Sequence, residues 1–274
     1  HIPFGDKKLR GVVLKLSRSS DVKYKLKEIE KIDENFALPE SYVKAAIWIA
    51  EYYLCSFGEA ISLFMPPVMK NPRKSNEAKK KIQTAEKKLS AEQEKVFLKL
   101  KGKLSKKGAK PALIFGVTGS GKTEVYIKLA KEAIRNGKQV VVLVPEIILT
   151  PQTIERFEEV FAGNVCLMHS GLNESEKFNC YRDFAAGTKP IIVGPRSALL
   201  VPAKNLGLII VDEEQEEAYK QDHAPRYHAA DLAEILARET GAALIFGSAT
   251  PRVETFYKAG AGIYDFFELK SRYQ

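Results

Sequence analysis

Residues 116–123 read Gly116-Val117-Thr118-Gly119-Ser120-Gly121-Lys122-Thr123 and fit the phosphate-binding pattern G-x-x-x-x-G-K-[ST]. The flanks give the pattern its meaning. Ala112 to Phe115 is a short apolar run that reads as a buried strand, and Glu124 to Asn136 has helical spacing. A strand that turns through glycines into a helix points successive backbone N–H groups at an anion, and the helix dipole adds to the attraction. In that arrangement Gly116, Thr118, Gly119, Ser120 and Gly121 form the cradle, Lys122 reaches the β- and γ-phosphates, and the Thr123 hydroxyl ligates Mg²⁺. The expectation is a nucleoside triphosphate site.

From Pro111 onward the chain alternates strand and helix, which predicts an α/β fold with a mostly parallel sheet and helices on both faces. Strands are expected at 139–144, 165–168, 191–193, 206–211 and 242–246. Helices are expected from Thr150-Pro151 to Phe161, over 173–186 with an Asn173/Glu176 capping box, over 229–240 and near 252–259. The strand that begins at Leu206 ends in Asp212-Glu213-Glu214, about 90 residues past the phosphate loop. Ligands of open α/β sheets bind beyond the carboxyl ends of the strands. Asp212 is therefore expected to hold Mg²⁺ opposite Thr123, and Glu213 to act as general base or water positioner. The structural alternative is a solvated acidic helix start, since Glu216 and Glu217 continue the charge.

Four segments are expected along the chain. Residues 1–20 contain a turn signal and a strand-like run from Leu9 to Leu16, read as the remnant of an N-terminal β-rich domain, for which the family resemblance given below implies DNA binding. Residues 21–69 read as a small helical domain, with Pro39 at a first helical position and a winged helix as the alternative. Residues 70–110 form a basic linker and a helix before the sheet, and 111–274 form the nucleotide-binding lobe. In Leu89-Ser90-Ala91-Glu92-Gln93, Ser90 and Gln93 fit a capping box.

Composition narrows the function classes. The chain has 274 residues, enough for about two folded units, with 45% hydrophobic and 28% charged residues. No apolar run nears the roughly 20 residues that span a bilayer. Cys55, Cys166 and Cys180 form no C-x-x-C pair, which suits thiols in a reducing cytosol and a cytoplasmic location with no membrane partner. The net charge of +9 is concentrated: residues 70–110 hold 15 Lys+Arg against 4 Asp+Glu. A basic segment beside a nucleotide site points to a polyanion such as DNA, with a solvated linker as the alternative.

The strings GVTGSGKTEVY, VPEIILTPQ, GPRSAL, IIVDEEQ and GSATP follow one another in the order of motifs I, Ia, Ib, II and III of superfamily 2 helicases. The wording resembles the primosomal protein N′ (PriA) family of replication-restart DNA helicases over nearly the whole chain. Tyr52-Tyr53-Leu54-Cys55 and Met65-Pro66-Pro67 resemble that family's upstream regions.

This resemblance implies a RecA-like first motor lobe and ATP hydrolysis coupled to 3′-to-5′ movement along single-stranded DNA. It also implies a role at stalled or forked DNA, with other primosome proteins and single-strand DNA-binding protein as partners. Gln93 is similar to the glutamine that reads adenine, an alternative to its capping role. Thr150 and Gln152 match motif Ia, and Arg196 and Ser197 match motif Ib, positions that touch a DNA backbone. Ser248, Ala249 and Thr250 match motif III, which couples to Gln215 of motif II. Residues 219–231 resemble the family's aromatic-rich loop, so Tyr219, Lys220, Arg226 and Tyr227 are implied DNA contacts; an ordinary loop is the alternative. Two positions depart from the family: Gln215 stands where histidine is usual, and Ala230 where arginine is usual. The zinc-binding cysteines and the second lobe with its arginine finger would lie beyond Gln274. Two rival readings stay open, a P-loop ATPase acting on a non-nucleic substrate and a nucleotide-binding DNA module without turnover.

Overall fold

The computed structural model describes residues 2–4, 7–14, 16–19, 21–23, 27–32, 36–67, 88–146 and 151–272. The chain forms two compact units, residues 1–39 and 40–274. In the first, strands β1 (Ile2–Phe4) and β2 (Lys7–Leu9) pair antiparallel, with Ile2 opposite Leu9. The strand expected to run from Leu9 to Leu16 stops at Leu9, and Val13, Leu14 and Leu16 are exposed. A two-stranded ribbon covers neither of its faces, so it offers those side chains no core.

The second unit contains α1 (Glu40–Tyr52), α2 (Phe57–Ser62), α3 (Ala91–Lys101), β3 (Ala112–Gly116), α4 (Lys122–Arg135) and β4 (Gln139–Leu143). It continues through α5 (Pro151–Phe161), β5 (Val165–Leu167), α6 (Glu174–Ala186), β6 (Ile191–Gly194) and β7 (Leu206–Asp212). It ends with α7 (Ala229–Thr240), β8 (Ala243–Ser248), α8 (Val253–Gly260) and β9 (Asp265–Leu269). Single 3₁₀ turns lie at Arg196–Leu200 and Glu217–Tyr219.

Strands β3 to β9 make one seven-stranded sheet, parallel throughout, in the order β5-β6-β4-β7-β8-β3-β9. Helices cover both faces, so the strands have no polar side to present. Hence Val140 to Leu143, Ile191 to Val193 and Leu208 to Val211 are apolar at every position and buried. Helix ends follow local chemistry. Ser56/Glu59, Ser90/Gln93 and Asn173/Glu176 all close capping boxes. Gly187 and Gly241 end α6 and α7 in the left-handed conformation that glycine adopts without strain.

Two features of this unit carry no signal in the sequence. Helices α1 and α2 belong to the same compact unit as the sheet. The buried Tyr42 hydroxyl accepts from Ala203 N (3.0 Å) and lies 3.4 Å from Val201 O, while Tyr181 donates to Phe64 O (2.7 Å). Strand β9, unforeseen, lies at the sheet edge beside β3, and its alternately exposed residues resemble no buried strand. The lysine-rich stretch 70–87 and Thr150 lie outside the described residues.

Candidate nucleotide site

The order β7-β8-β3 places three signature strings at the carboxyl ends of three adjacent strands. Asp212 pairs with Gly247 across β7 and β8, and Phe115 pairs with Ser248 across β3 and β8. The loop after β3 turns through Gly119 (φ +81°) and Gly121 (φ +79°), a region other residues enter only with strain. Gly121 then caps α4 without using a side chain. Gly116 is needed for space: a Cβ there would stand 2.7 Å from Ser120 Oγ and 3.1 Å from Leu269 Cβ.

Lys122 is buried and donates to Gly116 O at 2.9 Å, while its Nζ lies 3.3 Å from Glu213 Oε1. Glu213 has φ +45°, an uncommon value for a side-chain-bearing residue, and this conformation lets its carboxylate reach Lys122. Gln215 Nε2 donates to Glu213 Oε2 (3.0 Å), Ser248 Oγ donates to Gln215 Oε1, and Thr250 N donates to Ser248 Oγ (2.8 Å). A continuous polar chain thus runs Lys122–Glu213–Gln215–Ser248–Thr250 and joins the three strings. Ala249 lies between its last two members and contributes no polar side-chain group.

Asp212 sits behind this chain. Tyr126 of α4 donates to its Oδ1 (3.1 Å), and the Tyr219 hydroxyl donates to its backbone oxygen (2.7 Å). Burial, with the neighbouring Glu213 charge, raises its pKa from 3.8 to about 6. The same burial lifts the Tyr126 and Tyr219 phenols well above their usual range. The Tyr126 contact depends on Gly247, because a Cβ there would meet the hydroxyl oxygen at 1.6 Å.

Glu214, which the alternative of a solvated acidic helix start would leave in water, is fully buried. Its carboxylate accepts from Arg252 N (2.7 Å) and Thr255 Oγ1 (3.1 Å), so it caps α8, the helix that follows the third string. Sequence spacing held no sign of this, since the partners lie about 40 residues away.

Gln93 serves in two places at once. Its Oε1 accepts from Ser90 N (2.9 Å), closing the capping box, and its Nε2 donates to Ser120 O (2.9 Å) in the phosphate loop. Ser120 Oγ is buried and has no hydrogen-bond partner within the protein. A buried hydroxyl left unpaired in a glycine-turned cradle, beside a buried lysine and two carboxylates, fits a polyphosphate with its cation.

The residues matched to DNA contacts divide. Arg196 is half-buried and donates through Nη1 to Ala218 O (2.7 Å) and Lys220 O (2.8 Å), holding the loop after β7. With Ser197, Pro145, Glu146 and Gln221 it lines a cleft of about 340 Å³. Lys220 and Arg226 are exposed, and the Lys220 ammonium lies 4.9 Å from the Tyr53 ring centroid. Tyr219 and Tyr227 are a correction: each ring is 1% exposed and packed in the core, so neither presents a face for a base to stack on. Loop composition alone did not separate the aromatic residues that fasten the loop from those that would face outward. Gln152 is the second residue of α5, and its side chain lies outside the described residues. His228, whose imidazole is kept neutral by burial and Arg252 with a pKa lowered to about 4, accepts from Ala230 N (3.2 Å) and caps α7.

Comparison with known proteins agrees with this geometry. The DEAD/DEAH box helicase family matches residues 90–258, and the 3′DNA-binding domain family matches residues 1–66. Relatives named Replication restart protein PriA include those of Bacillus subtilis and Rickettsia conorii. That of Bacillus subtilis is 42% identical over 184 residues, 67% of this chain and 23% of the relative. That of Rickettsia conorii is 34% identical over 275 residues, all of this chain and 42% of the relative. The chain therefore spans less than half the length of either. Among solved structures, RecG bound to a three-way DNA junction superposes with a TM-score of 0.51 at 23% identity, over 68% of this chain and 24% of that one, a likeness of fold. On the extent of the match, and with the three strings meeting at adjacent strand ends, the chain belongs to the DEAD/DEAH box helicase family.

Proposed function

We propose that this chain provides the ATP-binding lobe of a DNA helicase that moves 3′-to-5′ along a single strand and acts in replication restart. The observation that carries the reading is the polar chain from Lys122 to Thr250. It ties the phosphate loop to the string after β8 through Glu213 and Gln215, which a simple nucleotide-binding module does not need.

When bound, Mg²⁺-ATP supplies the transferable phosphoryl group and the cation charge that polarises it. Thr123 and Asp212 are the residues that would hold the cation. The backbone from Gly116 to Gly121 would bind the phosphates, with the Ser120 hydroxyl available as a further partner. Lys122 exchanges Gly116 O and Glu213 for phosphate oxygens. Glu213, released from Lys122 and steadied by Gln215, orients a water and accepts its proton. Gln93, already fixed to the loop through Ser120 O, stands ready to report adenine. Thr150, Gln152, Arg196, Ser197, Lys220 and Arg226 are the proposed strand contacts, made to the backbone and so indifferent to sequence. Segment boundaries at residues 20, 69 and 110 remain the proposed division. Partner proteins of the primosome, single-strand DNA-binding protein and a cytoplasmic setting belong to the same proposal, as does zinc held outside these 274 residues.

The test is DNA-stimulated ATP hydrolysis by the full-length protein. Glu213→Gln is expected to remove turnover while leaving ATP affinity within about twofold, since it alters the proton acceptor and leaves the cradle intact. Residues 1–274 alone should turn over slowly, because the resemblance assigns the arginine finger to a second lobe and such a finger is worth roughly 10³–10⁵ in rate. Unchanged turnover in Glu213→Gln would refute the assigned role. Stimulation by a protein substrate and not by DNA would instead favour an ATPase acting on a non-nucleic partner.

A further inference from the structure

The opposite end of the sheet carries a second feature. A cleft of about 770 Å³ opens at the foot of β3 and β9, lined by Lys99, Lys103, Lys106, Lys110, Phe266 and Phe267. It is built around the hydrogen bond from Asp265 N to Pro111 O (2.8 Å), where the two strands begin. The phosphate loop leaves the far end of β3, about 17 Å away for a five-residue strand. The cleft is therefore separate from the nucleotide site and from the motif Ia and Ib residues that follow β4 and β6.

Its charge is one-sided. Asp265 is the single acidic residue lining it, and it pairs with Lys103. Lys110 donates to Gly262 O (2.7 Å), which fixes the rim. Lys99 and Lys106 are exposed, and no ion pair engages them among the described residues. The aromatic side is equally ordered. The Phe266 ring lies nearly parallel to Phe115, with centroids 5.9 Å apart, and edge-on to Phe256 at 6.3 Å. It is nonetheless 44% exposed, so a supported ring faces solvent in the lining of the cleft, and the next ring along the strand, Phe267, lies 6.0 Å from Lys99 Nζ.

We infer that this cleft binds an unpaired DNA strand, with phosphates against Lys99 and Lys106 and a base stacked on Phe266. Spaced cations along an open groove match a polymer's repeating phosphates better than a small anion, which would need donors converging on one point. An acidic peptide would use the lysines but leave the aromatic platform idle. A groove of ammonium groups beside a supported ring is the general solution for single strands, since every base has a face to stack. The inference rests on the proposed DNA role only for the identity of the polyanion. It places a second strand-holding surface at the end of the lobe away from Arg196 and Ser197, so one lobe can hold two strands of a branched substrate at once.

The experiment is fluorescence anisotropy with the full-length protein, a labelled single-stranded oligothymidylate and a blunt duplex, across a salt series. Lys99→Gln/Lys106→Gln is expected to flatten the log–log salt dependence for the single strand by about 1.4, at about 0.7 for each phosphate no longer neutralised. Phe266→Ala is expected to weaken single-strand binding about 5- to 150-fold, the range for removal of one base stack, and to change duplex binding less than twofold. Unaltered ATP affinity in both variants shows that they fold. An unchanged salt slope in the lysine variant would overturn the inference, as would equal losses for single strand and duplex in Phe266→Ala. Anisotropy without nucleotide needs no turnover, so failure of the hydrolytic assignment and failure of the cleft read out separately.

Discussion

Asp212→Asn should make the protein more stable while disabling it. The wild-type carboxyl has its pKa raised from 3.8 to about 6 by burial and by Glu213. Folding therefore favours the protonated form, and ionising Asp212 costs stability. Below about pH 3 the group is protonated in folded and unfolded chains alike and contributes no difference. As pH rises towards 6 the unfolded chain ionises first, and above 6 the full penalty is present. At 1.36 kcal/mol per pH unit, that penalty approaches about 3 kcal/mol. Asparagine keeps the shape and can still accept the Tyr126 hydroxyl, but carries no charge to desolvate.

Urea unfolding of wild type and Asp212→Asn at pH 4.5, 6 and 8, without nucleotide or divalent cation, reads this directly. The variant's advantage should be about 1 kcal/mol at pH 4.5 and reach about 3 kcal/mol by pH 8. Added Mg²⁺-ATP should narrow the gap, since ligand stabilises the form that binds it. An advantage independent of pH, or a variant less stable than wild type at pH 8, would refute the reasoning.

Two other perturbations follow from the same site. Gly247→Ala drives a methyl into the Tyr126 hydroxyl and should cost about 1–3 kcal/mol of overpacking in urea unfolding. Adding Tyr126→Phe should return part of that loss, and a double variant no better than Gly247→Ala would show that the clash lies elsewhere. Glu214→Ala strands the Arg252 amide and the Thr255 hydroxyl at the start of α8, at about 1–3 kcal/mol for each donor left unpaired. Stability within about 0.5 kcal/mol of wild type would mean that water takes the place of Glu214 at little cost.

The lobe was legible in the sequence because its signals are local. A P-loop is eight consecutive residues, and a capping box is four. A strand buried on both faces declares itself by five apolar residues in a row. The parallel sheet followed from their alternation with helices, and Asp212 and Glu213 followed from the point where β7 runs out of apolar residues. Other parts depend on contacts that sequence distance hides. Tyr126 reads as an ordinary helix residue until β8 brings Gly247 beneath it. Glu214 looks solvated until Arg252 and Thr255 arrive from 38 and 41 positions downstream. Tyr219 and Tyr227 show the opposite error, where a loop rich in rings suggested stacking although the fold needed two of those rings as anchors. Strand β9 was missed because an edge strand has one side in solvent and so lacks the apolar run of its neighbours.

Gln215 gives the polar chain a direction. A carboxylate can only accept, so the Gln215 amide must turn its NH₂ towards Glu213 and its oxygen towards Ser248. The Ser248 hydroxyl must then donate towards Gln215 and receive the Thr250 N–H with a lone pair. Every donor along the chain thus points towards Glu213, in an order dictated by that one negative charge. Protonating Glu213 removes that constraint, because a carboxylic acid can donate to the amide oxygen and permit a half-turn of the Gln215 side chain. Histidine at position 215 could answer by taking up the proton itself. An amide can answer only by turning over, so in this chain news of the carboxylate would travel as an orientation.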